Sequence, residues 1–141
     1  MSETAPRRFP AAELEDFIAR ALTNVGLPAR DAADCGRLMV AADLAGFHTH
    51  GIFRLTQYMK RIRAGGINVT PTVTTVAESP GTALVDGDNA MGHLVVEYAT
   101  KLAIVKARDT GCAWVSARRS NHAGAAATYV SMIADAGLIG L

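Results

Sequence analysis

Ser120-Asn121-His122-Ala123-Gly124 forms a short polar segment between an apolar run, 112–117, and an amphipathic stretch, 125–136. That order reads strand, turn, helix. In open α/β sheets ligands bind at the carboxyl ends of the strands. An imidazole placed there exchanges a proton near neutral pH. The first N–H groups of the next helix lack intrahelical partners and can hold an anion beside it. The plainer reading of His122 is a histidine satisfied by neighbouring backbone groups. A second set is His50, Arg54 and Tyr58, whose steps of four place them on one face of a helix. A guanidinium grips a carboxylate at two points, and His or Tyr can supply a proton. Spacing alone favours a solvated polar face, continued by Arg61.

Other histidines carry less. His48 and His50 tempt a metal reading, but two-residue spacing on a helix points them to different sides. No second His or Cys pair completes a ligand set, so no metal is expected. His93 opens a long helix without an obvious partner and reads as structural. The G-x-G-x-x-G dinucleotide fingerprint is absent.

The elements that must position these residues follow from the pattern. Half of the 141 residues are hydrophobic and the formal net charge is +1. That composition suits one domain or part of one, and it argues against a nucleic-acid footprint or a polybasic membrane surface. The first ten residues lack a signal-peptide core, and no apolar run suffices to span a bilayer. Cys35 and Cys112 do not make a disulfide framework. Each reads as a small buried hydrophobe, which suits a reducing, cytoplasmic setting.

Residues 1–9 read as a loose arm. Leu14, Phe17, Ile18, Ala21, Leu22 and Val25 mark a first amphipathic helix that stops at Gly26. Cys35, Leu38, Met39 and Ala42 form the stripe of a second, over about 30–45. A third is expected to start near Thr49 as cap, with Ile52, Leu55, Met59 and Ile62 inward and His50, Arg54, Tyr58 and Arg61 outward. The period then changes. Runs 73–77 and 83–86 read as a hairpin around Glu78-Ser79-Pro80-Gly81, and Asp86-Gly87-Asp88-Asn89 as a second turn. A long helix follows, with Met91, Leu94, Val95, Tyr98, Leu102 and Val105 on one face and Glu97–Lys101 as an outer i,i+4 pair. A strand over 112–117, the His122 turn and a helix ending at Gly137 come next. Leu138-Ile139-Gly140-Leu141 reads as the opening of a buried strand, so the chain is expected to be a fragment of a longer protein. The fold class is therefore α/β: N-terminal helices over 1–68, then a β-hairpin and the start of a βαβ unit over 69–141.

These constellations, in this order, resemble the malate/L-lactate dehydrogenase family of non-Rossmann NAD(P)-dependent oxidoreductases, which also includes ureidoglycolate dehydrogenase and 2,3-diketogulonate reductase. The matching segments are Thr49-His50-Gly51-Ile52-Phe53-Arg54, Tyr58, Arg61, Gly65-Gly66-Ile67-Asn68, Asp86-Gly87 through Gly92, Ser120-Asn121-His122-Ala123-Gly124 and Gly137-Leu138-Ile139-Gly140. His48 departs from the family pattern where an acidic residue is common, and Ala123 where an aromatic is.

The resemblance implies an enzyme that interconverts small 2-hydroxy and 2-oxo acids, or related imines, with NAD or NADP. It implies a cytoplasmic homodimer with no nucleic-acid or membrane partner. It places proton transfer on His50 and His122 and gives Thr49 the task of orienting His50. Arg54, with Tyr58 beside it, takes the substrate carboxylate. His122, Ala123, Gly124, Ala125 and Ala126 become a cofactor-contacting stretch. Members of that family are much longer, so the chain corresponds to an N-terminal portion that is inactive by itself. The rival reading is a non-catalytic interaction or dimerisation module.

Overall fold

A computed structural model describes residues 8–141. The first seven residues of the expected arm lie outside the described residues. Proline stands just before each of the first two helices, where its fixed φ is tolerated and its missing N–H leaves no helical bond unmade. Pro10 precedes α1 (Ala11–Thr23) and Pro28 precedes α2 (Ala29–Leu44). Between them the chain turns at Gly26, whose φ of +106° favours glycine. The two helices pack closely at Gly36, where a Cβ would come within 2.9 Å of the Glu15 carbonyl oxygen.

A 3-10 turn, Ile52–Arg54, leads into α3 (Leu55–Arg63). Thr49 does not cap this helix. The Asp43 carboxylate fixes the turn instead, accepting the Ile52 N–H at 2.8 Å. Gly51 leaves room for it, since a Cβ there would lie on the Asp43 carboxyl group. The inward face of α3 is Leu55, Tyr58 and Ile62. Tyr58 was expected outward, but it is only 2% exposed. Its ring is large and apolar, and only its hydroxyl needs a polar partner.

The sheet has the order β1-β2-β3 (Thr74–Glu78, Thr82–Ala90, Trp114–Ser120). β1 and β2 form the expected antiparallel hairpin, and β2 and β3 run parallel. The crossover between the parallel strands is α4 (Gly92–Thr110), and α5 (Ala126–Asp135) follows β3. Met91 belongs to the helical core with Ile18, Leu22, Met39, Tyr58 and Ile62, whereas Val95 packs with Val85, Ala90 and Ala99 against the sheet. The start of α4 therefore joins the two layers.

Several expectations need correction. Residues 86–89 do not leave the sheet. They form a bulge within β2, with Asp88 and Asn89 at φ +47° and +59°. The Asp86 carboxylate rounds the bend by accepting the Asp88 N–H at 2.9 Å while paired with Arg118 and Arg119. Glu97 lies inside, 5% exposed, because α2 covers it. It is paired with Arg37 of α2 at 2.6 Å and Lys101 at 3.0 Å. Tyr98 and Val105 fall on the exposed side of α4. Cys35 is buried, but Cys112 is exposed. Residues 138–141 form no strand, and Ile139 and Leu141 are exposed.

Candidate active site

The site forms where α3, the start of α4 and the β3–α5 turn meet. Tyr58 and His122 face each other there, with Oη 2.8 Å from Nδ1. The Gly124 N–H also points at that Nδ1, at 3.2 Å. A peptide N–H can only donate, so its engagement puts the ring proton on Nε2. A phenol hydroxyl both donates and accepts, so Tyr58 can stay bonded to either tautomer. Burial pushes the Tyr58 hydroxyl up to about 12, so it keeps its proton.

His50 stacks on His122, with ring centroids 5.6 Å apart and 22° between planes. Its Nδ1 is 2.9 Å from the Thr49 hydroxyl. Arg54 is held by two bonds, from Nε to the Thr49 carbonyl at 2.8 Å and from Nη1 to Gln57 at 2.9 Å. Partial burial, then the positive charge of Arg54, then His50, lower the His122 pKa below its ordinary value. His122 is thus neutral at neutral pH while its exposed imidazole remains able to take up a proton.

Thr49, His50, Arg54, Tyr58 and His122 therefore converge, from two segments far apart in sequence. Ala123 and Gly124 form the turn itself. Gly124 has φ +78°, and a Cβ there would come within 2.9 Å of His93 Nε2. The Ala123 carbonyl accepts from the buried Tyr129 hydroxyl. Ala125 precedes α5 and is buried, whereas Ala126 begins α5 and is exposed. No side chain caps α5, so its first N–H groups have no side-chain partner at that end.

His93 lies beneath the site as a structural residue, as its position at the start of the long helix suggested. It is 1% exposed, neither ring nitrogen has a hydrogen-bond partner among the described residues, and its ring meets Tyr58 edge-on at 5.3 Å. Burial, with His122 nearby, pulls its pKa down to about 4. It sits one residue after Met91-Gly92, at the seam of the two layers. His48 turns away from the site toward Asp43, 3.5 Å from its carboxylate. Among the described residues no group of three or more His, Cys, Asp or Glu is placed to hold a metal. No helix among them is long and apolar enough to cross a membrane.

The malate/L-lactate dehydrogenase family profile matches residues 9–141. Malate dehydrogenase of Pyrococcus horikoshii is 44% identical over 95% of this chain and 37% of its own length. Its structure superposes with a TM-score of 0.88 over 93% of this chain and 38% of that one. L-sulfolactate dehydrogenase of Methanocaldococcus jannaschii is 40% identical over 89% of this chain and 36% of its own. The NAD(+)-dependent ureidoglycolate dehydrogenase of Escherichia coli O157:H7 is 35% identical over 91% and 37%. The chain thus spans about 37% of the length of the curated relatives it matches. With its fold shared and nearly all of its described length matched, the chain belongs to the malate/L-lactate dehydrogenase family.

Proposed function

We propose that this chain supplies the proton-transfer and acid-binding groups of a nicotinamide-dependent oxidoreductase acting on small 2-hydroxy and 2-oxo acids. The observation that carries this reading is the stacked His50–His122 pair, with Tyr58 on the His122 imidazole and the Arg54 charge acting on it. Arg54 binds the substrate carboxylate, because its guanidinium is already oriented by the Thr49 carbonyl and Gln57. His122 takes the substrate hydroxyl proton at Nε2 from the tautomer whose Nδ1–H donates to the Tyr58 hydroxyl, and returns it from the protonated ring. Thr49 orients His50, whose ring covers His122 and shares the proton transfer.

The residues present fit one end of NAD or NADP. The uncapped start of α5 offers backbone donors close to His122. When bound, the nicotinamide supplies or accepts the hydride. Ala123, Gly124 and Ala126 would contact it, with Ala125 buried behind them. A cytoplasmic homodimer is part of the same proposal.

The apolar groove between α4, β3 and α5, lined by Ile104, Val115, Ile133 and Leu138 among others, favours a second reading, an interaction or dimerisation module. Kinetics of the complete protein separate the two. With NADH or NADPH and a 2-oxo acid, His122→Asn is expected to lower kcat by about 10²–10⁴ and to change KM little. His50→Asn is the companion variant. No turnover in the parent protein would sink the enzymatic assignment, and parent-like turnover in both variants would take the proton transfer away from the two histidines.

A further inference from the structure

Asn121 precedes His122, and its side chain ties three segments together. Nδ2 donates toward the Asn89 carbonyl and Asn89 Oδ1, each at 3.0 Å, and the Ala90 carbonyl at 2.9 Å. Oδ1 accepts from Arg61 Nη2 of α3 at 3.0 Å. Both ends of the amide are thereby engaged.

The surroundings are built around this clamp. Between the pairs Asp86–Arg118 and Ala90–Ser120, residues Gly87, Asp88 and Asn89 of β2 stand opposite Arg119 alone. Among the described residues, the non-glycine residues with left-handed backbone are Asp88, Asn89 and Arg119. Such conformations cost free energy and persist where the surrounding structure over-determines them, often at functional sites. Here the bulge brings the Asn89 and Ala90 carbonyls to the end of β3. Gly92 completes the fit, because a Cβ there would lie on the Asn121 carbonyl oxygen and 2.6 Å from the His122 carbonyl carbon. Tyr58 and Arg61, three apart on α3, then make adjacent rungs to the turn, one to His122 and one to Asn121.

We infer that Asn121, held from outside by Arg61, is a positioning residue for His122: it locks the β3–α5 turn to the β2 bulge and to α3, and so fixes the His122 imidazole against Tyr58. The inference rests on the reading of His122 as the proton-transfer group. Asn121→Asp keeps an acceptor for Arg61 but loses the donors to Asn89 and Ala90. Arg61 is exposed, so its removal tests the clamp without opening the core.

The experiment is steady-state kinetics of the complete protein across pH, with thermal melting of each variant. Asn121→Asp should lower kcat about ten- to a hundredfold, the scale of a small misplacement. The pH–rate profile should be displaced and the acid's KM changed by less than about threefold. Arg61→Ala should lower kcat by less, at unchanged Tm, and Arg61→Lys, which can still donate to Oδ1, should recover most of the loss. Asn121→Ala with Arg61→Ala should be no worse than Asn121→Ala alone, the signature of one shared interaction. Parent-like kcat and pH profile in the Arg61→Ala variant, or losses that only follow Tm, would overturn the inference. That arm decides even where an Asn121 variant does not fold. If His122→Asn is inactive while the clamp variants behave as the parent, only the clamp falls. If His122→Asn keeps the parent rate, the clamp and the proton-transfer reading fall together.

Discussion

Tyr58 and His122 are joined across 64 residues of sequence by one hydrogen bond of 2.8 Å, between a buried phenol and an exposed imidazole. The phenol ring belongs to the core and its hydroxyl belongs to the site. Tyr58→Phe should therefore keep the packing and lose the bond. One neutral hydrogen bond contributes about 1 kcal/mol, so we expect a roughly fivefold drop in kcat and a melting shift of only a few degrees. Kinetics and calorimetry on the same preparation check both. An unchanged kcat would leave Tyr58 with a packing role alone.

The lowered pKa of His122 sets the sign of the pH dependence. Oxidation of a hydroxy acid needs a neutral imidazole, so its kcat/KM should rise with pH through a value below the ordinary histidine range and then level off. Reduction of the oxo acid needs the protonated ring and should fall over that same interval. Profiles measured in both directions should mirror one another, and a rise centred well above pH 7 would contradict the assignment.

Arg54→Lys keeps the charge and loses the two-point grip. The loss of one charge-assisted bond, about 1.5–3 kcal/mol, corresponds to about one to two decades in kcat/KM for the acid. Cofactor affinity, read by fluorescence titration with NADH, should stay near the parent value. A parent-like KM would return Arg54 to an ordinary solvated face.

His93 makes a prediction about stability. Its folded pKa of about 4 lies below the ordinary value of 6.5, so the unfolded chain takes up the proton first as pH falls. The stability that burial of the neutral ring allows is present in full above about pH 6.5. It is lost progressively down to about pH 4, by about 3 kcal/mol. His122 contributes in the same direction. His93→Leu should flatten most of this slope while leaving Tm near pH 7 within a few degrees, because it also removes two ring nitrogens that have no partner among the described residues. Denaturant melts at pH 7, 5.5 and 4.5 measure the effect, and an unaltered slope would refute it.

Gly92→Ala should disturb the site from below. Its Cβ would meet backbone atoms of Asn121 and His122, which cannot swing aside as a side-chain end can. We expect a destabilisation of about 1–3 kcal/mol and a fall in kcat larger than in any surface alanine variant of α4. Melting curves and initial rates would show it.

The elements that sequence revealed best are those whose burial follows a simple period. The Cys35, Leu38, Met39 and Ala42 stripe is buried as spacing requires, and Pro80-Gly81 sits in the hairpin turn. Tyr58 and Glu97 escaped the same reasoning because helix spacing does not reveal which neighbour will cover a face. α2 covers Glu97 and supplies Arg37, so a charged residue goes inside with its partners. The β2 bulge was read as a turn because Asp, Gly and Asn serve both. Only the pairing of Ala90 with Ser120 shows that the strand resumes. The site histidines were visible as types and positions, but the stack between them depends on contacts that no local pattern encodes.

The bonds from α3 to the β3–α5 turn carry a consequence for how the molecule folds. Tyr58–His122 and Arg61–Asn121 span 64 and 60 residues. Closing a loop of that size costs about 3–4 kcal/mol of chain entropy by the logarithmic rule alone, more than either bond returns. Neither contact can nucleate. The α1–α2 pair and the hairpin, built from nearer neighbours, can form earlier, and the site comes together only when the two layers dock. Any fluctuation that parts those layers dismantles the histidine pair before it melts a helix, so hydrogen exchange at Gly124 should follow layer opening and be faster than at the centre of α2.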